Sequence, residues 1–490
     1  MLFNSYSFVF IFLPATVILY HLLNRGGHYT AARVLLLIAS ALFYLSGGLR
    51  AFIILTVSLF INYCIFRLLT KNGHSESTRR MLLCTGIFLN VGMLIYFKYL
   101  GFFANVINSL FKTGFPIREV LLPLGISYYT FSQIAFLVDG YRDPDRQYGL
   151  LDYALFVTFF PKISVGPIAL AREMIPQFND LSRKKVNYDN IAGGIVIFAS
   201  GLAKKVLLAD NLAPLADWGF SHINDLGTTN AAIAMLAYTM QIYFDFSGYC
   251  DMAKAICLML NIDLPDNFLS PYRAVSVADF WKRWHITLTA FFTRYVYIPL
   301  GGNRKGKIRT YINMYIIFFL SGLWHGAAYT FIIWGLIHGT GISLSKLLKD
   351  RMEKIPHIIR CIGTFLFVNI TWIVFRAETL GYGIEFIKQL LSFRMLPVNI
   401  EMVTGATPDE MQFLQWLIFT RSGNAPYISA CIITIGFLLI ASFISIFCRN
   451  STERLAALKL RGRTVATTVI LLVMSILSLS GVTEYIYTNF

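Results

Sequence analysis

Histidines within apolar sequence are the residues of this chain whose type and setting best suit acid–base chemistry. His325 lies in Ser321-Gly-Leu-Trp-His-Gly326, near the middle of a charge-free stretch from Thr310 to Ser345. A neutral imidazole there could take a proton from a hydroxyl nucleophile, because imidazole titrates near neutral pH and a dry pocket favours its uncharged form. The alternative is a structural histidine that donates to a neighbouring carbonyl. Gly322 and Gly326 indicate close approach to this turn, by another group or by packed helices.

Two further histidines lie close by in the sequence. His285 ends the segment Asp279-Phe-Trp-Lys-Arg-Trp-His285, whose Trp281 and Trp284 would share one face of a helix. This pattern is typical of an interfacial helix, so His285 either belongs to a membrane-surface anchor or faces an internal chamber and orients a substrate group. His338 would lie about 20 Å from His325 on a continuous helix, and we predict that it is a packing residue.

Charged residues near these histidines form two groups. Asp245 and Asp251 end an apolar span, where they are either proton-relay groups or structural partners of the basic stretch 273–309, with Lys254 one turn after Asp251 for an ion pair. The stretch from Arg273 to Arg309 is strongly basic and contains a single acid, Asp279. Such an excess suits the phosphates of a cytoplasmic acyl donor and equally suits the orientation of membrane spans.

The composition indicates which scaffold must position these groups. Of 490 residues, 56% are hydrophobic and 14% are charged, whereas about 25% are charged in an ordinary soluble domain. Several apolar stretches reach or approach the roughly 20 residues that one bilayer crossing requires. A soluble globule is therefore excluded, and the chain is predicted to be a polytopic membrane protein.

The net charge of +16 indicates membrane topology rather than binding of nucleic acid, because the basic excess falls mainly in loops between spans. Basic clusters at residues 67–80, 172–185, 346–354 and 449–463 mark the cytoplasmic side. The first apolar stretch lacks the basic n-region of a cleavable signal peptide, so we interpret it as a retained span. The N-terminus is then expected outside the cytoplasm.

We expect one all-α transmembrane domain over residues 1–490, with about ten to twelve crossings. The segments 121–124 and 159–168 contain Pro or Gly, and the second contains Lys162. Both are predicted to be re-entrant or short buried helices around a chamber, because irregular backbone at membrane depth needs protein or a wet cavity. Residues 393–420 are predicted to form an external loop.

The seven cysteines form no CxxC pair and no HExxH spacing occurs, so no metal site is predicted.

Dense motifs cover most of the chain and include the candidate residues above. They are Leu122-Pro-Leu-Gly-Ile-Ser-Tyr-Tyr-Thr-Phe131, Phe160-Pro-Lys-Ile-Ser-Val-Gly-Pro167, Phe244-Asp-Phe-Ser-Gly-Tyr-Cys-Asp251, Asp279-Phe-Trp-Lys-Arg-Trp-His285, Tyr297-Ile-Pro-Leu-Gly-Gly-Asn-Arg304, Leu323-Trp-His-Gly326 and Trp372-Ile-Val-Phe-Arg-Ala377. In this combination they resemble the bacterial membrane-bound O-acyltransferases (MBOAT) of the alginate and peptidoglycan O-acetylation branch.

The resemblance implies a fold and a set of roles. The family fold is a ring of transmembrane helices with re-entrant helices around a central tunnel, and here its catalytic core would cover about residues 120–380. His325 matches the catalytic histidine of the family, and His285 matches the second histidine of the pair. We expect the supporting polar residues to be Asp245, Asp251 and Trp324. The candidate donor-binding residues are Lys282, Arg283, Arg304 and Lys305.

The resemblance also implies a reaction. The chain would take an acyl group, usually acetyl, from a cytoplasmic thioester such as acetyl-CoA and move it outward to hydroxyls of a polysaccharide or cell-wall polymer. His325 would be the general base, and no bound cofactor is expected. A separate extracytoplasmic partner of the SGNH-hydrolase type would complete the transfer. The implied location is the bacterial cytoplasmic (inner) membrane, among its lipids.

The C-terminal tail, residues 484–490, contains Tyr485-Ile-Tyr-Thr-Asn-Phe490 and resembles an aromatic tail of the family whose tyrosine is a plausible acyl carrier. Tyr487 takes that position and is a candidate to carry the acyl group as a phenol ester; the alternative is an aromatic residue that anchors the tail at the interface. The tail departs from the family pattern at Thr488 and Asn489, and Cys250 replaces a serine of the aspartate motif. Both differences weaken the transfer of roles residue by residue.

Three other functions stay open. A glycan or lipid transporter would also need a chamber, intramembrane carboxylates and basic loops, although no inverted repeat is visible. A D-alanyl transferase of teichoic acids shares both histidines and would use an acyl carrier protein as donor. A structural scaffold for a secretion complex would leave surface acylation intact when His325 is replaced by Ala.

Overall fold

The computed structural model describes residues 1–115, 121–404, 425–480 and 485–486. These residues are predominantly helical, with one isolated bridge between Phe268 and Trp284 and no strand among them. The helices of the first half are α1 (Phe8–Arg25), α2 (Tyr29–Leu45), α3 (Leu49–Leu69), α4 (Glu76–Phe111), α5 (Ile126–Arg142), α6 (Leu150–Thr158), α7 (Ala171–Asn179), α8 (Tyr188–Ser221) and α9 (Gly227–Met259). Those of the second half are α10 (Val277–Phe280), α11 (Ile286–Phe292), α12 (Lys307–His325), α13 (Tyr329–Leu347), α14 (Lys349–Met352), α15 (His357–Arg376), α16 (Leu380–Leu390), α17 (Ile400–Thr404), α18 (Ala425–Phe447), α19 (Ser451–Ala456) and α20 (Gly462–Leu477).

Six helices of the described chain are long and apolar enough to cross a membrane. They are α1, α3, α4, α8, α15 and the Ala430–Phe447 part of α18, while α2 and α20 are shorter apolar helices. The predicted all-α polytopic membrane fold is confirmed. The ring around a tunnel and the count of about ten to twelve crossings stay predictions, as does the external loop, much of which lies outside the described residues.

α9 is the central helix of the protein. It has 33 residues, which gives a length of about 50 Å at 1.5 Å per residue. Most of its side chains are buried, and its polar residues lower its hydropathy below that of the apolar spans. A Cβ on Gly201 of α8 would lie 2.7 Å from the carbonyl oxygen of Gly248, so the two backbones are in contact. Only glycine permits helices to approach this closely.

The segment 159–168 is buried along its whole length and forms turns rather than a helix. Side chains of other elements satisfy its backbone, since the amide of Phe160 donates to Ser40 Oγ at 3.1 Å and the amide of Ile168 donates to Thr287 Oγ1 at 3.0 Å. Gly125 (φ +66°) packs directly on this segment, where a Cβ would lie 2.3 Å from the carbonyl oxygen of Ile163. The segment is enclosed by protein as expected, but the expected short buried helix is wrong for residues 159–168, which form turns.

α12 and α13 form a tight antiparallel hairpin, because the chain breaks at residues 326–328. On a continuous helix His325 and His338 could not share one small site, and the break removes that restriction. A Cβ on Gly322 would lie 2.3 Å from the carbonyl oxygen of Phe331, and a Cβ on Gly335 would lie 2.2 Å from that of Phe318. The glycine near His325 thus serves close helix packing.

The expected interfacial helix before His285 is also wrong. α10 ends at Phe280, and His285 has the left-handed conformation (φ 47°, ψ 50°) that separates α10 from α11. Trp281 and Trp284 are 4% and 0% exposed, respectively, so they belong to the core rather than to a membrane surface. The sequence pattern is misleading here because both tryptophans fit a helix face, yet the backbone turns before the second one.

Candidate active site

His325 lies at the last position of α12 and is 1% exposed. Its imidazole contacts aromatic rings edge to face, with centroid distances of 4.9 Å to Trp324, 5.1 Å to Trp334 and 5.3 Å to Phe375. Such an apolar setting disfavours a charged imidazolium and favours the neutral base. Trp324, expected as a supporting polar residue, is thus part of the aromatic wall of this site.

Two side chains of α4 form hydrogen bonds with the end of the helix that carries His325. The last carbonyls of a helix have no partner within the helix, and here Tyr99 Oη donates to the carbonyl of Leu323 at 2.7 Å while Lys98 Nζ donates to that of Trp324. A cation at a helix C-terminus is electrostatically favourable. Both donors come from a π-helical turn, Ile95–Tyr99, a feature that often marks functional sites. Sequence reasoning missed both residues, although a lysine inside an apolar span was a visible signal.

The structure brings the two predicted histidines together. The ring centroids of His285 and His325 are 6.3 Å apart. His285 is 0% exposed and lies edge to face against Phe246 of α9 at 4.8 Å and against Trp324 at 5.7 Å. Residues from α9, α12 and the turn before α11 therefore meet in one buried aromatic cluster, which is the candidate active site.

Asn267 fixes the conformation of His285. Its Oδ1 accepts from the amide of Thr287 at 3.2 Å and from the Thr287 hydroxyl at 2.9 Å, and it lies 3.2 Å from His285 Nδ1. The backbone N–H of Thr287 can only donate, so the Asn267 atom that it contacts is the side-chain oxygen. Because this oxygen can only accept, Nδ1 of His285 must carry the proton. The lone pair is then on Nε2. Asn267 was missed at the sequence level, since nothing in its spacing indicates that it contacts His285.

His338 is held in the opposite tautomer. Trp281 Nε1, which can only donate, donates to His338 Nδ1 at 3.1 Å, so the proton is on Nε2, which faces Thr371 Oγ1 at 3.1 Å. The Trp334 ring contacts both His325 and His338, at centroid distances of 5.1 and 4.8 Å. His338 is therefore close to the site, but both of its nitrogens hold the fold together, in agreement with the predicted packing role.

Asp245 and Asp251 are structural ion-pair partners of α8 rather than of the basic stretch. Lys205 Nζ is 2.7 Å from Asp245 Oδ1 and Lys204 Nζ is 2.7 Å from Asp251 Oδ2. The expected pair between Asp251 and Lys254 is wrong, because Lys254 pairs with Asp266 instead. The α8 lysines are the nearer partners because the contact of Gly201 with Gly248 brings the two helices together at this level.

The C-terminal tail reaches this region. Tyr485 is 1% exposed, and its ring lies under Lys205 Nζ at 4.8 Å. The amide of Ile486 donates to Asp245 Oδ2 at 2.8 Å. Tyr487 lies outside the described residues, but it follows directly on Ile486 in the chain. The tail is thus anchored by the carboxylate next to Phe246, the ring that contacts His285.

Two adjoining cavities lie beside the basic stretch. Their volumes are about 580 and 270 Å³, and both are lined by Trp281, Lys282, Thr289 and Thr293. Ser321 is among the residues that line the smaller one, and it precedes His325 by one turn, or about 6 Å along α12. Of the four predicted donor-binding residues, Lys282 lines these cavities, whereas Arg283 pairs with Asp279 at 3.0 Å. Arg304 and Lys305 lie outside both linings, and Arg172 and Arg294 line the larger cavity instead.

Comparison with known proteins assigns this arrangement to a family. A profile of the MBOAT, membrane-bound O-acyltransferase family matches residues 117–384. A peptidoglycan O-acetyltransferase of Helicobacter pylori is 39% identical in an alignment of 421 positions that covers 80% of this chain and 80% of the relative. A probable alginate O-acetylase of Azotobacter vinelandii is 37% identical over 80% of this chain and 78% of the relative. A teichoic acid D-alanyltransferase of Bacillus subtilis is 27% identical over 54% of this chain and 71% of the relative.

Proposed function

The chain belongs to the membrane-bound O-acyltransferase family and is a multi-pass membrane acyltransferase, and from this premise we propose that it exports acetyl groups for polymer O-acetylation. The donor is a cytoplasmic thioester, most simply acetyl-CoA. The acceptor is a hydroxyl of an extracytoplasmic polysaccharide or cell-wall polymer, reached through an SGNH-hydrolase-type partner. The names of the two more similar relatives support acetyl over D-alanyl as the transferred group.

The chemistry assigned to the site is nucleophilic acyl transfer with His325 as general base. His325 takes the phenol proton of Tyr487, and the phenolate oxygen attacks the thioester carbonyl carbon. A C–O bond forms, the C–S bond breaks, and the thiolate leaves with the proton returned by the imidazolium. The partner's nucleophile then attacks the tyrosine ester and restores the phenol. His285 orients a reacting group across the 6.3 Å that separates the two rings.

The anchoring of the tail is the observation that carries this proposal. Ile486 is fixed to Asp245, and the next residue of α9, Phe246, contacts His285. Tyr487 directly follows Ile486 in the chain, so the candidate carrier is covalently joined to a residue that binds the interior carboxylate of Asp245. A residue serving only as a surface anchor would not need the preceding residues to be bound to an interior carboxylate.

The test is acyl labelling of the chain itself. Membranes containing wild type, Tyr487→Phe or His325→Gln are incubated with radiolabelled acetyl-CoA, and hydroxylamine-labile label on the chain is counted. We expect label on wild type and on the matched aromatic control Tyr485→Phe, and no label on Tyr487→Phe or His325→Gln. Equal label on Tyr487→Phe would exclude the tyrosine carrier.

The same membranes distinguish the acyl group and its donor. A parallel reaction supplies D-alanyl carrier protein in place of acetyl-CoA, because the D-alanyl transferases are more distant relatives. We expect acetate as the acid released by base. Release of D-alanine alone would replace the proposed O-acetylation with teichoic acid D-alanylation, while keeping the assignment of an acyltransferase.

A further inference from the structure

A basic cavity of about 550 Å³ lies far from the histidines in sequence, between the end of α18, α19, the start of α20 and α8. Its lining includes Val196 and Ser200 of α8 and Thr464, Thr467 and Thr468 of α20. Five basic residues also line it: Arg449, Arg454, Lys459, Arg461 and Arg463. No acidic residue is among its lining residues. The cavity therefore concentrates positive charge at one concave point of the molecule.

These charges are not neutralised within the described part of the chain. The acid nearest in sequence, Glu453, pairs with Arg273 at 4.0 Å. Arg454 donates to the Ser200 hydroxyl at 2.6 Å, which ties α19 to α8 and keeps this guanidinium at the cavity wall. An anion that binds here would satisfy several guanidinium donors at once, and such charge-assisted contacts are the strong ones.

The basic cluster at residues 346–354 provides a comparison. It contains Asp350 and Glu353 among its basic residues, and Lys349 pairs with Glu353 at 3.9 Å on an exposed helix surface. Orientation of spans requires only that basic residues stand on the cytoplasmic side, and this cluster meets that need with acids interspersed among its basic residues. The converging, unneutralised charges at residues 449–463 therefore require a further explanation.

The surroundings of the basic cavity indicate the kind of anion. Apolar side chains on α18 and α20 are exposed beside it, with Phe447 68%, Val465 52% and Val469 52% exposed, as expected for lipid-facing helices. Leu471 and Val196 form part of the cavity wall. A ligand that carries a phosphate and an adjoining apolar chain matches both features, and basic pockets between helices on the cytoplasmic side bind lipid headgroups of this kind.

We propose that the basic cavity binds the headgroup phosphate of an anionic phospholipid of the cytoplasmic leaflet. The lipid would bridge the α19–α20 segment to α8 at the start of α20. Because α20 leads through residues 478–480 to the anchored pair Tyr485 and Ile486, the bound lipid stabilises the helix from which the tail extends. This site does not depend on which acyl group the enzyme transfers.

The experiment is native mass spectrometry of the purified full-length chain titrated with phosphatidylglycerol, with phosphatidylcholine as the neutral lipid. The test variant is Lys459→Gln/Arg461→Gln/Arg463→Gln, and the control Lys349→Gln/Arg351→Gln/Lys354→Gln removes the same charge from the other cluster. Each removed cation weakens binding about fivefold, so we expect phosphatidylglycerol to bind about 100-fold more weakly to the test variant and nearly normally to the control.

Several results would overturn the proposal. Equal loss in both triple variants would mean unspecific attraction to the whole basic face, and equal binding of phosphatidylcholine would mean that the phosphodiester charge is not recognised. Displacement of the lipid by glycerol phosphate at equal concentration would indicate a site for soluble phosphate. Displacement by coenzyme A would indicate a donor site. Thermal unfolding of each variant in phosphatidylcholine, together with the single variant Arg461→Gln, separates lost binding from lost folding.

Discussion

His285 and His338 are both 0% exposed and both belong to the aromatic cluster around His325, yet the protein fixes them in opposite tautomers. The partner of His338 Nδ1 is an indole N–H, so both nitrogens of this ring connect α13 to its neighbours. The partner of His285 Nδ1 is an amide oxygen, which leaves the lone pair on Nε2. The difference shows that the donor or acceptor character of one neighbour separates a histidine that packs from a histidine that can take part in proton transfer.

The largest effect is expected at His325, whose ring lies 6.3 Å from that of His285 and shares the neighbour Trp334 with His338. His325→Gln should lower the rate of acetyl transfer from acetyl-CoA by about 10²- to 10⁴-fold, the usual contribution of a positioned general base. The matched control is His338→Gln, whose amide can accept from Trp281 and donate to Thr371. Rates per folded protein in reconstituted membranes check this prediction, and comparable losses in both variants would contradict it.

A smaller effect is expected when the hydrogen bond that fixes the tautomer of His285 is removed. Asn267→Ala removes the acceptor for Nδ1–H of His285 and should lower the transfer rate about 10- to 100-fold. This is the range known for residues that orient a histidine in the metal sites of other proteins. The fold should survive because the loop also has the backbone bond from Ile286 to the carbonyl of Asn267 at 3.1 Å.

Asn267→Asp tests orientation against mere packing. A carboxylate at this position would still accept from Nδ1–H, and its charge would stabilise the protonated imidazole. Activity should therefore return in part, with the rising acid limb of the pH–rate profile moved to higher pH, because His285 must then lose its proton at higher pH. An unshifted profile would show that His285 does not titrate in the reaction.

The smallest effect is expected on the His338 side of the comparison. Thr371→Val removes the partner of His338 Nε2 and should lower the free energy of unfolding by about 1–3 kcal/mol, the cost of a buried group left unsatisfied. Thermal unfolding in detergent measures this change. The acetyl-transfer rate per folded molecule should stay unchanged, and a loss similar to that of Asn267→Ala would remove the distinction between the two histidines.

The fold class was accessible from the composition of the sequence, whereas the pairing of His285 with His325 was implied only by the family resemblance. Apolar stretches and their composition dictate membrane helices, and the prolines and glycines near residues 121–124 and 159–168 predicted irregular backbone inside the protein. The break after His325 was not accessible, since Gly326 can continue a helix, end it or pack against another helix. Here a Cβ on Gly326 would lie 2.1 Å from the Phe331 ring of the returning helix.

The residues that form hydrogen bonds with the site were harder to predict than the site histidines themselves. Asn267 acts on a residue 18 positions away, and Lys98 acts on a helix end 226 positions away, so neither contact leaves a local pattern. For the carboxylates Asp245 and Asp251, ion pairing was one of two alternatives, with the basic stretch as the expected partner. Their partners lie on α8 instead, where the glycine contact brings the helices together. Pairing across helices depends on packing that local spacing cannot show.

The central claim is that His325 catalyses acyl transfer for surface-polymer acetylation, and base-released acetate from the surface polymer tests it most directly. Cells carry wild type, His325→Ala or His338→Gln at equal abundance in the membrane. The account predicts near-complete loss of acetate with His325→Ala and near-normal acetate with His338→Gln. Full acetylation with His325→Ala would contradict the catalytic role and favour a transporter or a scaffold.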